Sequence, residues 1–276
     1  MKILLFGASG FIGKRVAARL REQGHQLWLP SHQDWDFTRP NEQKLATWLQ
    51  GIDVVVNTVG VMSHDAEKQE SVHHHAPAAI ARAARQAGVR RLVQLSALGA
   101  RPDHPVAFLG SKGRGDEAVC HSGLQVRIAR PSVVFGRGGA SCELFIRLAK
   151  LPVLPLPEGG YYRLQPVHID DVAEGLCRLA VQEGNGLETV EMTGGQVCSL
   201  AEYLALLRSN IHHKKPPCII ALAAGLINMT AKLARVSSKG MFSPDSMALL
   251  RAGSVADAGV FERLLGRKPL SVKEFR

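Results

Sequence analysis

The segment Gly7–Gly13 constrains what this chain can fold into more than any other feature of its 276 residues. It follows a short apolar run, Lys2–Phe6, and precedes a stretch with apolar side chains at helical spacing, Phe11–Gln23. Glycines between a buried strand and a helix allow a tight turn and a close approach of the backbone to a bound group. The amides at the helix N-terminus then favour negative charge. We therefore expect a dinucleotide pyrophosphate at this turn, the alternative being a turn that serves packing alone.

Beyond this turn, strand-like and helix-like patterns alternate along the chain. The predicted strands cover Gln26–Leu29, Asp53–Asn57, Arg91–Leu95, Gln125–Ala129 and Leu187–Met192. The predicted helices between them cover Ala78–Gln86, Phe108–Ser122 and Asp170–Val181. Strands separated by helices of this length are typical of right-handed βαβ units and a parallel sheet. The predicted fold class is therefore α/β, a Rossmann doubly wound parallel sheet with a small, mainly helical C-terminal lobe.

The same patterns divide the chain into two parts. We place an NAD(P)-binding core at residues 1–135 and 167–195 and a smaller substrate or partner lobe at 136–166 and 196–276. In the lobe, helices are predicted from about Ser141, Leu200, Cys218, Pro244 and Asp257. The prolines at 152, 155 and 157 predict irregular chain between the first two of these helices. Ligands of open α/β sheets bind in the crevice at the strand ends, where we expect the substrate.

The end of the second strand bears on which dinucleotide fits. An acidic residue there favours NAD(H) by bonding the ribose 2′-hydroxyl, whereas a basic residue accommodates the 2′-phosphate of NADP(H). The chain has Ser31–His32 at this position, with Lys14–Arg15 just past the last glycine of the turn. With no carboxylate facing a phosphate here, the pattern favours NADP(H) over NAD(H). Asp34 or Asp36 would reverse this preference if the strand runs further.

Several further segments occur in an order typical of one protein family. They are Asp36–Thr38, Asn57–Gly60, Leu95–Ala97, Arg130–Gly136 and Gln165–Ala173. In this order they resemble the extended or atypical branch of the short-chain dehydrogenase/reductase family, which is similar to the NAD-dependent epimerases and dehydratases. Within that branch the chain most resembles the group that includes the NADPH-carrying accessory subunit of respiratory complex I and its bacterial relatives.

The resemblance assigns a role to four of these segments. In the family the segment at Asp36–Thr38 holds the adenine amine, and the segment at Asn57–Gly60 lines the cofactor after the fourth strand. The segment at Arg130–Gly136 lies beside the nicotinamide. The segment at Leu95–Ala97 carries the active-site serine, here Ser96, which would polarise the substrate. Together with the glycine turn, the predicted cofactor-binding residues are Gly7, Ser9, Gly10, Phe11, Ile12, Gly13, Ser31, His32, Asp36, Thr58, Val59, Gly60, Lys112, Pro131 and Val133.

The chain departs from the family at the proton donor. The family uses the Tyr of a Tyr-x-x-x-Lys pair, and here Lys112 supplies the lysine while Phe108 stands where the tyrosine would be. Side chains at i and i+4 share a helix face, so the lysine can lower the phenol pKa and bond the nicotinamide ribose. Phenylalanine has no proton to give.

Three interpretations of this departure stay open. The first is a proton donor from elsewhere, with candidates Ser96, Tyr161, Tyr162 and His168. The second is a reaction that needs no such acid, and the third is a structural or regulatory cofactor. The predicted function is thus an oxidoreductase with catalytic residues Ser96 and Lys112, acting on a small or lipid-like carbonyl or quinone substrate. The alternative is a non-catalytic NADP(H)-holding assembly or redox-sensing protein.

Composition bears on partners and location. The net charge is +10, but Lys and Arg are dispersed and aromatic residues make up only 5%, so we expect no nucleic-acid partner. The basic run His212–Lys215 leaves a peripheral membrane or protein partner open. The five dispersed cysteines are typical of reduced thiols, and no signal-peptide pattern is present, so we expect a cytoplasmic protein. We expect no metal site at His73–His75, because consecutive residues of a regular helix point in different directions.

Overall fold

The computed structural model describes residues 1–184, 189–222 and 244–276. The strands are β1 Lys2–Phe6, β2 Gln26–Trp28, β3 Val54–Asn57, β4 Arg91–Leu95, β5 Gln125–Pro131, β6 Val134–Phe135, β7 Val153–Pro157, β8 Arg163–Leu164, β9 Val167–His168, β10 Thr189–Met192, β11 Cys198–Ser199 and β12 Cys218–Leu222. The α-helices are α1 Phe11–Glu22, α2 Glu42–Trp48, α3 Ala66–Glu70, α4 Ala76–Gln86, α5 Ala107–Cys120, α6 Ala140–Ala149, α7 Ile169–Val181, α8 Leu200–His212, α9 Pro244–Ala252 and α10 Gly259–Leu265. A π-helical turn, Ser71–His75, joins α3 to α4. None of the helices in the described ranges is long and apolar enough to cross a bilayer.

The described chain forms two compact units. The first unit comprises Met1–Pro131, Ile169–Met192 and Gly259–Arg267, and the second comprises Ser132–His168, Thr193–Ala258 and Lys268–Arg276. The predicted division differs from these units, because it placed residues 132–135, 167–168 and 193–195 in the core and α10 in the lobe. Helix α10 belongs to the first unit because its apolar residues are buried there, with the Phe261 ring against Gly175 of α7.

A six-stranded sheet is the centre of the first unit. All its strand pairs are parallel, and the strand order is β10-β5-β4-β3-β1-β2. The predicted fold class is confirmed. Strand β1 has no exposed residue from Ile3 to Phe6, as expected for a strand covered on both faces. The chain leaves β1 toward β2 on one side and returns to β3 on the other, so the topological switch point lies between β1 and β3.

Two buried arginines tie the sheet to helix α7. Arg91 of β4 donates through Nη1 to the carbonyl oxygens of Ala180 (2.9 Å) and Gln182 (2.8 Å). Arg127 of β5 donates through Nη1 to Leu179 (2.9 Å) and Gln182 (2.9 Å). The guanidinium groups thus bond carbonyls that the helix itself leaves unpaired at its C-terminus. Burial lowers the pKa of Arg91 to about 10, so both groups remain charged at neutral pH.

The π-helical turn packs against α5 with no space between the backbones. A methyl group added at Gly115 would lie 1.8 Å from the carbonyl oxygen of His73. A π turn is wider than an α turn, and such turns are frequent at functional sites. Here the glycine on α5 permits the close contact, which fixes the position of both elements.

The second unit contains more strand than the sequence predicted. Its helices α6, α8 and α9 are accompanied by three two-stranded sheets, β6 with β9, β7 with β12 and β8 with β11. The prolines of Val153–Pro157 were expected in irregular chain, but this segment is strand β7, and it pairs with Cys218–Leu222. The helix predicted from Cys218 is therefore wrong in its first five residues, and residues 223–234 lie outside the described ranges. Proline is tolerated in strands with an open edge, and Ile219 and Ile220 favour extended chain.

Replacing Gly115 with alanine is expected to destabilise the chain, because the new methyl group would meet the His73 carbonyl oxygen at 1.8 Å. Overpacking of this kind costs on the order of 2 kcal/mol. Urea unfolding measures the loss. Glu117→Ala, an exposed position on the same helix, is the control and should change stability by less than about 0.5 kcal/mol. An equal loss in both variants would mean that the contact with His73 is not the cause.

Candidate functional site

The glycine turn between β1 and α1 has the form the sequence predicted. Gly7 has φ +82°, and its carbonyl oxygen accepts a bond from the amide of Gly10 at 2.9 Å. A Cβ atom on Gly13 would lie 2.1 Å from that same oxygen, so only glycine fits. Gly10 caps α1 without a side-chain hydrogen bond, and the first helical turn contains no acidic residue. The amides at this helix N-terminus are therefore available to an anion.

The segment after β3 forms the neighbouring wall of this turn. Thr58 donates through Oγ1 to the carbonyl oxygen of Phe6 at 2.7 Å, and its amide bonds the same oxygen at 3.1 Å. The amide of Val59 donates to Oδ1 of Asn57 at 3.1 Å. The family places this segment after a fourth strand, but here it follows the third strand in the chain, because residues 29–53 contribute only helix α2.

A cavity of about 340 Å³ lies beside the glycine turn at the end of β2. Its lining residues are Ala8, Ser9, Lys14, Ala17, Arg21, Leu29, Pro30 and Ser31. The predicted basic residue Lys14 is present, but Arg15 lies over the Phe11 ring, 5.3 Å from its centroid, and 3.6 Å from Asp170. The cavity is lined by Arg21 instead of Arg15. Arg21 was not identified from the sequence, although Lys14 and Arg21 are two helical turns apart and so share one face of α1.

The acidic residues near this cavity differ from expectation. Strand β2 ends at Trp28, so it does not run on to Asp34 or Asp36. A loop nevertheless places a carboxylate at Ser31, whose Oγ donates to Oδ2 of Asp34 at 2.7 Å. The expected absence of a carboxylate here is therefore wrong. Asp36 is exposed and accepts from the amide of Thr38 at 2.8 Å, and these bonds from Ser31 and Thr38 lower the pKa of the two aspartates. His32 is exposed.

Lys112 is a buried charged group at this edge of the sheet. Its Nζ donates to the carbonyl oxygen of Leu95 at 2.9 Å, and a Cβ atom on Gly60 would lie 3.1 Å from Nζ. Burial lowers the pKa of Lys112 to about 8, while the nearby Asp116 opposes this shift. An ammonium group has three N–H donors, and the bond to Leu95 uses one of them. The ammonium group lies next to the exposed Gly60, and its other donors can bond a ribose hydroxyl placed there.

A hydrogen-bonded chain through His73 lies beside Lys112, and the sequence did not reveal it. The amide of Val61 donates to Nε2 of His73 at 3.0 Å, so the ring proton is on Nδ1, which is 2.9 Å from Oγ of Ser111. Ser111 in turn donates to the carbonyl oxygen of Phe108 at 3.1 Å. Burial and the charge of Lys112 lower the pKa of His73 to about 3, so its imidazole is neutral. The Phe108 ring lies edge-on to it at 5.4 Å.

Ser96 does not have the surroundings expected of a group that polarises a substrate. It is buried, and its Oγ donates to Oδ2 of Asp116 at 2.7 Å. Arg130 donates to the same oxygen through Nη2 at 2.9 Å and Nε at 3.1 Å. The hydroxyl proton is thus directed at a buried carboxylate rather than at a ligand. Burial raises the pKa of Asp116, and the bonds from Ser96 and Arg130 oppose that effect.

The remaining predicted residues divide between the two units. Pro131 ends β5 in the first unit, and its carbonyl oxygen accepts from the amide of Leu98 at 2.9 Å. Val133 and the three other proton-donor candidates lie in the second unit. Tyr161 is 81% exposed and Tyr162 is part of an apolar core. The ring of His168 packs on that same core, against Phe135 at 5.7 Å.

We expected no metal site at His73–His75 because a regular helix would direct the three rings apart, but these residues do not form a regular helix. Residues Ser71–His75 form a π-helical turn, and the carboxylate of Glu70 lies 2.6 Å from Nδ1 of His74. His73 points inward, as described above, whereas His75 is exposed.

Comparison with known proteins identifies the relatives of this chain. Residues 3–107 match the model of the NAD dependent epimerase/dehydratase family. The chain is 25% identical to the mitochondrial NADH-ubiquinone oxidoreductase 40 kDa subunit of Neurospora crassa over 81% of this chain and 65% of the relative. It is 29% identical to the mouse mitochondrial NADH dehydrogenase (ubiquinone) 1 alpha subcomplex subunit 9, over 69% and 56%. It is 28% identical to the ceramide reductase of Caulobacter vibrioides, over 65% and 62%.

Solved structures agree on the fold. A nucleoside-diphosphate-sugar epimerase from Staphylococcus aureus has a TM-score of 0.77 at 15% identity, covering 100% of this chain and 99% of that one. A dTDP-4-dehydrorhamnose reductase from Bacillus anthracis, solved with NADP, has a TM-score of 0.74 at 16% identity, covering 99% and 98%.

The fold, the glycine turn and the sequence matches make this chain similar to the NAD-dependent epimerases, dehydratases and reductases, and the predicted resemblance is confirmed. The matches span 65%, 56% and 62% of the lengths of the three relatives above. The residues present fit a dinucleotide, because the cradle at Gly7 and Gly13 admits no side chain and the uncapped amides of α1 point into it. The cytoplasmic location predicted above stays a prediction.

Replacing Lys112 with methionine is expected to stabilise the chain at neutral pH, because it removes a buried ammonium group whose pKa is lowered to about 8 from 10.5. Between these two pH values the unfolded chain holds more protons than the folded one, so the stability of the parent chain rises with pH. The advantage of the variant is therefore largest below pH 8, on the order of 3 kcal/mol, and fades toward pH 10.5.

Urea unfolding of both proteins at pH 7 and at pH 10 measures this difference. Lys68→Met, at an exposed lysine of α3, is the matched control and should show no such dependence on pH. A stability difference for Lys112→Met that is the same at both pH values would contradict the lowered pKa.

Proposed function

We propose that this chain is an NADP(H)-dependent oxidoreductase that reduces a small or lipid-like carbonyl or quinone compound. One observation carries the proposal. The buried ammonium group of Lys112 lies at the same edge of the sheet as the glycine turn, where it bonds the carbonyl oxygen of Leu95 and lies next to the exposed Gly60. Burying a charge is costly unless the charge is paired, and groups with perturbed pKa values cluster at functional sites.

Each part of the first unit then has a binding role. The amides at the start of α1 hold the pyrophosphate, with Gly13 permitting the close approach. Lys14 and Arg21 hold the phosphate on the adenosine ribose, in the cavity beside the turn, while the amide and hydroxyl of Ser31 engage the Asp34 carboxylate nearby. Lys112 bonds the nicotinamide ribose. When bound, the reduced cofactor supplies a hydride, and the chain must supply or admit the accompanying proton.

The proton donor follows from what the site contains. Phe108 has no acidic hydrogen, and the hydroxyl proton of Ser96 is directed at Asp116. Lys112, whose pKa burial lowers to about 8, can release a proton near neutral pH. In this proposal Nζ of Lys112 gives a proton to the substrate oxygen and regains one from solvent. Quinones place the least demand on such an acid, because their reduced oxygens are weakly basic.

The names of two relatives support the substrate class. One is a ceramide reductase and another is a subunit of an NADH-ubiquinone oxidoreductase. The first name describes reduction of a lipid, and the second belongs to a complex that acts on a lipid-like quinone.

A second candidate function is that of a cofactor-holding protein without catalysis. Phe108 favours it, since the ring lies against His73 where the family places its proton donor. A dinucleotide bound at the glycine turn would then stabilise the chain by mass action and report redox state without turnover. The experiments below separate the two functions.

The melting temperature of the chain is expected to rise with either dinucleotide, and more with NADPH than with NADH. Arg21→Gln should weaken NADPH binding by about tenfold, because it removes a charged contact to the additional phosphate, and should leave NADH binding unchanged. Arg15→Gln is the matched control, because Arg15 does not line this cavity, and it should change the binding of neither NADPH nor NADH. No thermal shift with either dinucleotide would contradict cofactor binding, and equal shifts would contradict the preference for NADP(H).

A single turnover separates the oxidoreductase from the holding protein. The chain is loaded with NADPH and mixed with quinone, enone and carbonyl compounds, and the loss of reduced-nicotinamide absorbance is followed. We expect oxidation by at least one quinone. Lys112→Arg should keep the cofactor but slow oxidation by at least tenfold, because a guanidinium does not release its proton near neutral pH.

The variant Phe108→Tyr tests the missing acid directly. It restores the Tyr-x-x-x-Lys pair, so carbonyl reduction should become faster in this variant than in the parent chain. Tight NADPH binding with no oxidation by any compound, in the parent chain and in Phe108→Tyr, would establish the holding function instead.

A further inference from the structure

A group of metal-ligating side chains lies on the outer side of the π-helical turn, apart from the cofactor site. Glu70, His74 and His75 each offer one ligand atom, and these atoms lie within 4.8 Å of one another. The carboxylate and the His74 ring are half-buried, and His75 is exposed. The cluster is thus accessible to an ion from solvent while two of its ligands are held by their surroundings.

The wide turn explains how consecutive histidines share one site. Glu70 and His74 are four residues apart and meet directly, with Nδ1 of His74 2.6 Å from Oε1 of Glu70. Residues at i and i+4 of a helix form a natural chelating pair. The ring of His75 stacks on that of His74, with centroids 4.7 Å apart and planes at 30°. Both imidazoles therefore lie on the same side of the turn as the carboxylate.

Arg114 orients the carboxylate from behind. It donates through Nε to Oε1 at 2.9 Å and through Nη2 to Oε2 at 2.6 Å, and its Nη1 bonds the carbonyl oxygen of Pro102 at 2.8 Å. These bonds hold both carboxylate oxygens of Glu70 in fixed positions. Ligating carboxylates are commonly fixed by such outer hydrogen bonds. The positive charge of Arg114 also reduces the affinity for a cation, so we expect binding in the micromolar rather than the nanomolar range.

We propose that Glu70, His74 and His75 form a binding site for a borderline divalent ion such as Zn²⁺. Two imidazoles and one carboxylate suit zinc and its neighbours among the transition metals, whereas Mg²⁺ and Ca²⁺ require mainly oxygen ligands. The ion takes the place of the proton between Nδ1 of His74 and Oε1 of Glu70, at bond lengths of about 2.0–2.2 Å. Water completes the coordination. The proposal does not depend on the cofactor or on the reaction.

A metal ion bound at this site also affects the inner side of the π-helical turn. His73 immediately precedes the two ligating histidines, and its ring bonds Val61 and Ser111 beside Lys112. An ion held by the outer side chains fixes the turn that carries His73. Zinc binding should therefore raise the melting temperature of the chain.

Calorimetric titration of the chain without an affinity tag, using ZnCl₂, tests the site. We expect one equivalent of zinc. His74→Ala and His75→Ala should each weaken it at least tenfold and remove the zinc-dependent rise in melting temperature. His121→Ala, at an exposed histidine of the same unit, is the matched control and should leave both unchanged.

Co²⁺ provides an independent readout, because its visible absorption reports inner-sphere nitrogen and oxygen ligands. The absorption should appear with the parent chain and with His121→Ala and disappear in Glu70→Gln, with circular dichroism confirming that each variant is folded. Absence of zinc binding, or binding that is the same in all the histidine variants, would overturn the proposal.

Discussion

The nucleotide-binding edge of this protein depends on one close contact between backbones. The carbonyl oxygen of Gly7 lies where a side chain on Gly13 would have to be, and Thr58 holds the end of β3 against Phe6 at the end of β1. Strand β1, helix α1 and the end of β3 thus meet at this point. This contact aims the start of α1 at the switch point of the sheet, and the cavity beside β2 and the segment before Gly60 are positioned from there.

On the other side of the site, buried charged side chains matter more than close backbone contacts. Lys112 and Asp116 are four residues apart on α5, and both are buried, yet each finds its hydrogen bonds elsewhere, Lys112 with Leu95 and Asp116 with Ser96 and Arg130. Their separation leaves the ammonium group only partly compensated. A dinucleotide that brings oxygen acceptors and negative charge relieves this imbalance, so the empty site and the filled site differ in electrostatic energy as well as in contacts.

The sequence was sufficient for the features that a local pattern determines. The strands of the main sheet and the turn at Gly7–Gly13 could be predicted because apolar periodicity and glycine spacing act over a few residues, whereas Lys112 was identified from the family resemblance. Features that depend on pairing between segments far apart in the sequence could not be predicted. Strand β7 was taken for irregular chain because its partner, β12, is some sixty residues away, and the prolines within it mislead a local argument.

The same distinction applies within the site. Arg21 could have been found from helical spacing, since it shares a face with Lys14. By contrast, the carboxylate of Asp34 reaches Ser31 through a loop whose course no periodicity describes. The commitment of Ser96 to Asp116 and the neutral imidazole of His73 depend on side chains twenty to forty positions apart. Such groups are brought together only by the packing of whole elements.

The π-helical turn at Ser71–His75 also affects how the helix around it can change over time. One additional residue in a turn rotates everything that follows by about 100° relative to a regular helix. Helices α3 and α4 are therefore out of phase, with Gln69 buried on one side of the junction and Ala76 on the other. A single-residue deletion that restored a regular helix would rotate either α3 or α4 away from its present packing. The loss of one codon here would be far more damaging than most substitutions, and natural variation in this segment should preserve its length even where its residues differ.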